Sequence, residues 1–154
     1  MKIKLFATDV DGTMTDACMY YGNNGEEFKK FNFRDGMGFK LLRESGIKTA
    51  IITSENTSIV KKRADKLKVD YLSMGEWKKL DFIKNICSQL DITLEEVAYI
   101  GDDINDLEAL ENVGLRACPA DALPAIKSIK GINIMGLKGG EGAVREFIEM
   151  ILSS

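Results

Sequence analysis

Histidine is missing from this sequence of 154 residues. Its absence excludes Ser-His-Asp and Cys-His catalysis, a histidine general base, and zinc held by histidine. Acid–base chemistry therefore has to rely on carboxylates, lysine, tyrosine or cysteine. A metal site has to be rich in oxygen ligands, which favours magnesium.

Cysteine and long apolar runs are also scarce. The three cysteines, Cys18, Cys87 and Cys118, show no Cys-x-x-Cys spacing, so we expect free thiols in a reducing cytoplasm. No apolar run approaches the ~20 residues of a membrane span, and the first residues lack a signal-peptide pattern, so we expect no membrane partner. The net charge of -3 disfavours a nucleic-acid partner, because such proteins usually carry a basic field.

The sequence does contain short apolar segments that alternate with helical ones. We predict strands at 3–7, 48–52, 69–72, 97–100, 115–117 and 132–135. We predict helices at 36–43, 78–90, 124–128 and 143–152, and two further helices that end at about residues 68 and 111. This alternation predicts a doubly wound, Rossmann-like α/β fold with a parallel sheet. We expect one domain, 1–154, with a β-hairpin at about 18–31 around a Gly/Asn turn.

Asp9 and Asp11 directly follow the first predicted strand, and Gly12 then permits a sharp turn. If the backbone stays extended, both carboxylates point to the same side. Two like charges so close are costly unless a cation or a shared proton separates them. The alternative is an ordinary strand-end turn, in which Asp and Gly are common.

Polar residues also follow two other predicted strands, at Thr53-Ser54 and at Gly101-Asp102-Asp103. Open parallel sheets bind ligands at the carboxyl ends of their strands. One crevice would therefore collect the carboxylates of Asp9, Asp11, Asp102, Asp103 and Asp106. Such a cluster requires a divalent cation and a basic residue, for which Lys78 and Lys79 compete. Thr53 could instead cap a helix, and Asp106 could merely favour the positive end of its helix.

Four motifs in this order resemble the haloacid dehalogenase superfamily of phosphohydrolases, across nearly the whole chain. They are Asp9-Val10-Asp11-Gly12-Thr13, Ile51-Ile52-Thr53, Lys79 and Gly101-Asp102-Asp103. The resemblance implies that Asp9 is the nucleophile, that Asp11 is the acid and base, and that Thr53 and Lys79 hold the phosphoryl group. It also implies Mg²⁺ held by Asp9, the Asp11 carbonyl and Asp102, supported by Asp103 and Asp106.

Members of this superfamily with a cap domain carry it after the first motif or between the second and third. Only a hairpin and a helix separate Thr13 from Thr53, and only a helix and a short strand separate Thr53 from Lys78. We therefore expect no cap. Because an open site would admit water, we expect a neighbouring subunit to cover it.

The resemblance narrows to the small capless phosphatases that act on 3-deoxy-2-ulosonic acid phosphates. The chain is similar to them in the hairpin, in Phe31-Asn32-Phe33-Arg34-Asp35-Gly36 and in residues 139–146. It implies a small sugar-acid phosphate as substrate and a homotetramer with shared active sites.

Two substrate types remain open. The octulosonate 8-phosphate type usually has Arg at the position of Glu55, whereas the nonulosonate 9-phosphate type is similar in Glu55, Arg63 and Lys66. Glu55 can bind sugar hydroxyls, and the two basic residues can pair with the sugar carboxylate, although they also suit a solvated helix face. Arg34-Asp35-Gly36 is closer to the octulosonate type. We favour the nine-carbon acid and keep the eight-carbon acid as the alternative, with Thr13, Arg34 and Ser54 also predicted to bind substrate.

A signalling receiver domain is a more distant alternative. It shares the α/β fold, an acidic Mg²⁺ site, a phosphate-accepting Asp, a Thr and a Lys. In a receiver, however, the phosphate acceptor stands alone at the end of a central strand. No predicted central strand here ends in a lone Asp, and Gly101-Asp102-Asp103 has no counterpart in a receiver.

Overall fold

The computed structural model describes residues 2–154. Its strands are β1 (Leu5–Thr8), β2 (Tyr20–Tyr21), β3 (Glu27–Phe28), β4 (Lys48–Ile52), β5 (Tyr71–Ser73), β6 (Val97–Ile100), β7 (Leu115–Cys118) and β8 (Asn133–Ile134). Its helices are α1 (Phe33–Glu44), α2 (Ser58–Leu67), α3 (Lys79–Leu90), α4 (Leu107–Asn112), α5 (Pro124–Lys127) and α6 (Ala143–Leu152). Single 3-10 turns lie at Leu94–Glu96 and Ile104–Asp106.

Six strands form one parallel sheet in the order β5-β4-β1-β6-β7-β8. β1 is central, because Leu5 aligns with Lys48 of β4 on one side and with Val97 of β6 on the other. The carboxyl ends of β1, β4 and β6 therefore lie next to one another, which brings the predicted site segments together. The predicted doubly wound parallel fold is confirmed.

Apolar side chains cover both faces of the sheet. On one face, Phe6 packs edge-on against Phe39 of α1, with ring centroids 5.7 Å apart, and also contacts Phe147 of α6. On the other face, Ile83 of α3 belongs to the same cluster as Tyr99 of β6. Burial on both faces explains why the central strands are almost continuously apolar.

Several element boundaries differ from the predicted ones. Helix α1 begins at Phe33 rather than at Gly36, because the Asn32 side chain accepts a hydrogen bond from the Arg34 amide at 2.8 Å and caps the helix earlier. β1 lies two residues later than the predicted start at residue 3, whereas α6 matches its predicted range. None of the helices in residues 2–154 is both long and apolar enough to cross a membrane.

The hairpin is present but shorter than predicted. Tyr20 pairs with Phe28 and Tyr21 with Glu27, and a further bridge joins Thr15 to Phe31 at the base of the hairpin. Between β1 and α1 the chain forms only this hairpin, and between β4 and α3 only α2 and β5. Residues 2–154 therefore contain no cap domain at either position.

Candidate active site

The chain turns sharply at the end of β1 instead of remaining extended. The Val10 carbonyl accepts hydrogen bonds from the amides of residues 13–15. Gly12 has a φ of +85°, and a Cβ atom there would lie 1.9 Å from Oδ2 of Asp102. The turn therefore requires glycine, both for its backbone conformation and for the close approach of a carboxylate. The side chains of Asp9 and Asp11 have different partners.

Asp9 has a buried ion-pair partner. Nζ of Lys79, the first residue of α3, donates to Oδ1 of Asp9 at 2.7 Å and to Oδ1 of Asp106 at 2.8 Å. All three side chains are buried, whereas Lys78 is exposed. The structure therefore places Lys79, and not Lys78, beside Asp9.

Asp106 fixes the turn after β6. Its Oδ1 also accepts a hydrogen bond from the Tyr99 hydroxyl at 2.5 Å, and its Oδ2 accepts from the amides of Asp102 and Asp103 at 3.0 and 3.3 Å. With Lys79 included, both carboxylate oxygens are fully used. Asp106 therefore holds neighbouring groups in place. Its role is not limited to placing a favourable charge at the positive end of a helix. Tyr99 is not among the residues that the motifs predict. The only hint in the sequence is that its hydroxyl stands alone in the apolar run of β6.

Two carboxylates, those of Asp9 and Asp102, lie close enough to share a cation, and the Asp106 carboxylate lies beside them. One oxygen each of Asp9, Asp102 and Asp106 lies within 4.8 Å of the others. Burial and the nearby Asp106 raise the pKa of Asp102 to about 6, although hydrogen bonding opposes this shift. Burial and Asp106 also raise the pKa of Asp9 well above its usual value, against the opposing effect of Lys79. An oxygen-rich cluster in which negative charge is so unfavourable fits a Mg²⁺ ion.

Two other predicted metal-site residues differ from this group. The carboxylate of Asp11 does not belong to the group of three carboxylates. The expected metal ligand from Asp11 is its backbone carbonyl. Asp103 is exposed, and its side chain accepts a hydrogen bond from the Ile104 amide at 2.6 Å. It supports the local turn and lies outside the carboxylate group.

Asp11 is paired with the hairpin. Nζ of Lys29 lies 2.7 Å from Oδ1 of Asp11 and 2.8 Å from Oε2 of Glu55, which follows β4. The hydrogen bond from Lys29 lowers the pKa of Glu55. Burial raises the pKa of Asp11, and Lys29 opposes that rise. Lys29 is not among the predicted site residues, because nothing in the motif spacing links the hairpin to the strand ends.

A cavity of about 250 Å³ lies over the strand ends. This strand-end cavity is lined by Asp9, Asp11, Met19, Thr53, Ser54, Glu55, Trp77, Asp103 and Asn105. A larger cavity of about 620 Å³ lies elsewhere and contains none of the predicted site residues.

The predicted hydroxyls after β4 both line the strand-end cavity. Thr53 is buried, and its Oγ1 accepts a hydrogen bond from the Glu55 amide at 3.2 Å. It caps no helix, because Thr57 is the residue that caps α2. The Ser54 hydroxyl donates to the Glu76 carbonyl at 3.1 Å.

Four predicted substrate-binding residues do not line the strand-end cavity of their own chain. Thr13 is buried and directs its hydroxyl to Asp102, at 3.4 Å. Arg63 stacks on the Phe31 ring, 5.4 Å from its centroid, so its guanidinium packs against the start of α1. Lys66 is exposed on α2, and Arg34 lines a separate cavity at the start of α6.

Comparison with known proteins agrees with this geometry. Residues 37–114 match the family of haloacid dehalogenase-like hydrolases. The 3-deoxy-D-manno-octulosonate 8-phosphate phosphatase of Yersinia pestis is 42% identical over 150 residues, which cover 97% of this chain and 80% of that protein. The chain belongs to the haloacid dehalogenase-like hydrolases. The predicted resemblance is confirmed, and the hydrolase is a phosphatase of this family.

Solved structures support the same assignment. The crystal structure of the Yersinia pestis phosphatase is 41% identical with a TM-score of 0.93, and the match covers 98% of this chain and 81% of that one. The Moraxella catarrhalis phosphatase was solved in complex with magnesium, phosphate and a molecule of 3-deoxy-D-manno-octulosonate. It is 38% identical with a TM-score of 0.93, and the match covers 98% of this chain and 86% of that one.

Proposed function

We propose that this hydrolase removes the phosphate of 3-deoxy-D-manno-octulosonate 8-phosphate with the help of Mg²⁺. The observation that carries the proposal is the buried Asp9–Lys79 pair next to Asp102, in a chain whose relatives with this fold act on that ester. Mg²⁺ and octulosonate were found in the Moraxella catarrhalis structure. The donor set of Asp9, Asp102 and the Asp11 carbonyl is rich in oxygen, as Mg²⁺ requires.

The reaction would proceed in two steps. In the first, a carboxylate oxygen of Asp9 forms a bond to phosphorus while the bond from phosphorus to the sugar oxygen breaks, and Asp11 gives its proton to that leaving oxygen. In the second, a water oxygen bonds to phosphorus and the aspartyl-phosphate bond breaks, while Asp11 takes a proton from the water. Inorganic phosphate leaves, and both aspartates return to their initial states.

Charge on the phosphoryl group needs compensation in both steps. Bound Mg²⁺ would neutralise charge on the phosphoryl oxygens. Lys79 holds Asp9 in place, and its positive charge would help to compensate the charge of the incoming anion. Thr53, which is buried on the cavity wall, would donate a hydrogen bond from its hydroxyl group to a phosphoryl oxygen.

The choice between an eight-carbon and a nine-carbon substrate rests on different observations. The named relatives are octulosonate phosphatases, so they favour the eight-carbon acid over the nine-carbon acid that the sequence motifs favour. Glu55 keeps the nine-carbon acid as a second candidate, because the nonulosonate type is similar at this residue and the residue lines the strand-end cavity. Its carboxylate could accept hydrogen bonds from the sugar hydroxyls of either acid.

We also propose that a homotetramer completes the site. Large apolar side chains are exposed on the hairpin and near the cavity mouth: Met19, Tyr20, Tyr21, Phe28, Trp77 and Ile104. Large exposed apolar surface often marks protein contacts. Arg34, Arg63 and Lys66, which lie outside the cavity of their own chain, would then serve a neighbouring subunit. Sedimentation at working concentration tests this, and a monomer would contradict the shared site.

A phosphate-release assay tests the proposed function. Purified protein with Mg²⁺ would be given octulosonate 8-phosphate, nonulosonate 9-phosphates and simple sugar phosphates at equal concentration. We expect the highest kcat/KM for the eight-carbon ester, and no release by an Asp9→Asn variant. Preference for a nine-carbon ester would establish the second candidate. Comparable rates on all esters would contradict specificity for ulosonic acids, and a stable phosphoprotein without turnover would indicate a receiver.

A further inference from the structure

The hairpin sends one lysine into the active site. The side chain of Lys29, the residue after β3, is fully shielded from solvent. Its ammonium group contacts the carboxylates of Asp11, Glu55 and Glu27 at 2.7, 2.8 and 3.6 Å. The next residue, Lys30, is exposed. Lys29 is therefore held by three acidic groups, and its hairpin neighbour is not.

Asp11 has to move protons in two different directions. Efficient proton transfer requires a carboxylate oxygen within hydrogen-bond reach of the reacting oxygen, in a fixed orientation. Asp11 lies on the turn after β1 and is only partly buried, so packing alone does not fix its side chain. The hydrogen bond from Lys29 goes to Oδ1 and leaves Oδ2 for another partner.

We infer that Lys29 is a positioning residue for proton transfer at Asp11. This role rests on the phosphatase chemistry proposed above. Lys29 holds Oδ1 of Asp11, so that Oδ2 of Asp11 faces the leaving oxygen in the first step and the water in the second. Glu55, which follows β4, also holds the ammonium group. The hairpin thereby fixes the acid–base residue of its own chain, in addition to offering surface for a neighbour.

Nitrophenyl phosphate separates this role from a general loss of structure. Nitrophenolate is a stable anion that leaves without a proton, so Asp9 can take up the phosphoryl group from this ester even when Asp11 is displaced. Hydrolysis of the aspartyl phosphate still requires Asp11. In rapid mixing, Lys29→Met should therefore release nitrophenolate equivalent to the active sites in a fast burst. Steady turnover should then be about 10²-fold slower than in the wild type.

Two further variants complete the experiment. Lys29→Arg restores a cation with hydrogen-bond donors and should recover most of the lost turnover, whereas Lys30→Met, the matched change at the exposed neighbour, should behave as the wild type. Turnover of Lys29→Met at the wild-type rate would overturn the inference. Loss of the burst together with turnover would also overturn it, because that result indicates damage to Asp9 or to the metal site. Since the probe is an aryl ester, failure of the octulosonate assay would refute the proposed substrate and leave this test intact.

Discussion

Nζ of Lys79 lies 2.7 Å from Oδ1 of Asp9, and both side chains are almost completely buried. Asp106 shares the same ammonium group at 2.8 Å, so two carboxylates face one lysine. Burial lowers the pKa of Lys79, but its two carboxylate partners outweigh this effect and raise it, which keeps the residue charged. The group as a whole carries excess negative charge. This imbalance is what a bound divalent cation would correct.

Replacing Lys79 by methionine should damage both stability and activity. The substitution leaves Asp9 and Asp106 buried without their cation, which costs about 3–5 kcal/mol in the free energy of unfolding. Phosphate release should fall about 10²–10³-fold, because a group that stabilises the transferring charge is lost. Urea unfolding and a phosphate assay measure the two effects. Lys78→Met, at the exposed neighbour, is the control, and an equal loss there would contradict the assignment of Lys79.

Removing the Tyr99 hydroxyl should weaken the support of the metal site. Tyr99→Phe deletes one hydrogen bond to the buried Asp106 carboxylate and should cost about 1.5–3 kcal/mol in unfolding free energy. Mg²⁺ affinity should fall about tenfold, because Asp106 is then held less firmly. Tyr71→Phe is the matched control, since Tyr71 is half-buried on the edge strand β5 and away from Asp106. Unchanged unfolding and Mg²⁺ binding in Tyr99→Phe would show that this hydroxyl is dispensable.

Magnesium should stabilise the folded protein through Asp102. A ligand that binds only the native state raises the melting temperature, so Mg²⁺ should raise it in the wild type and EDTA should reverse the shift. In Asp102→Asn the Mg²⁺ concentration needed should increase more than about tenfold. Asp103→Asn, outside the carboxylate group, should keep the response. Because the pKa of Asp102 is raised to about 6, protons should compete with Mg²⁺ as the pH falls through that value. An Asp102→Asn variant with the wild-type response would exclude this carboxylate as a ligand.

The central part of the site could be predicted from sequence because strand ends in a parallel sheet converge. Asp9, Thr53 and Asp102 each follow an apolar strand, so their proximity follows from the alternation of strands and helices. Lys29 and Tyr99 could not be predicted in this way. Their roles depend on which side chain the folded hairpin or strand brings to a carboxylate, and no local pattern encodes that contact.

The predicted substrate-binding residues on α2 show a different limit. The spacing of Arg63 and Lys66 places them on a helix but does not decide which face packs against the neighbouring α1. In the structure Arg63 donates to the Asn32 carbonyl at 3.2 Å and stacks on Phe31, contacts that depend on the early start of α1. Because the predicted start of α1 lies three residues too late, the contacts of Arg63 could not be predicted from the sequence.

Asp35 provides a prediction for the pH dependence of stability. It is 1% exposed and accepts a hydrogen bond from the Arg145 amide at 2.9 Å, which ties α1 to the start of α6. Its Oδ2 has no hydrogen-bond partner within residues 2–154, although Arg63 lies near enough to affect it electrostatically. Burial dominates and raises the pKa of Asp35 from 3.8 to about 6.

A raised pKa in the folded state means that the native protein binds the proton of Asp35 more tightly than the unfolded chain. The stabilising contribution of the Asp35 proton is complete below pH 3.8 and is lost as the pH rises through about 6. Relative to Asp35→Asn, the wild type should therefore lose on the order of 3 kcal/mol of unfolding free energy across this window. Urea unfolding at a series of pH values measures the difference, with Asp81→Asn, at an exposed aspartate of α3, as the control. A constant difference between wild type and Asp35→Asn would show that the buried carboxylate titrates normally, because Arg63 and the Arg145 amide then compensate its burial.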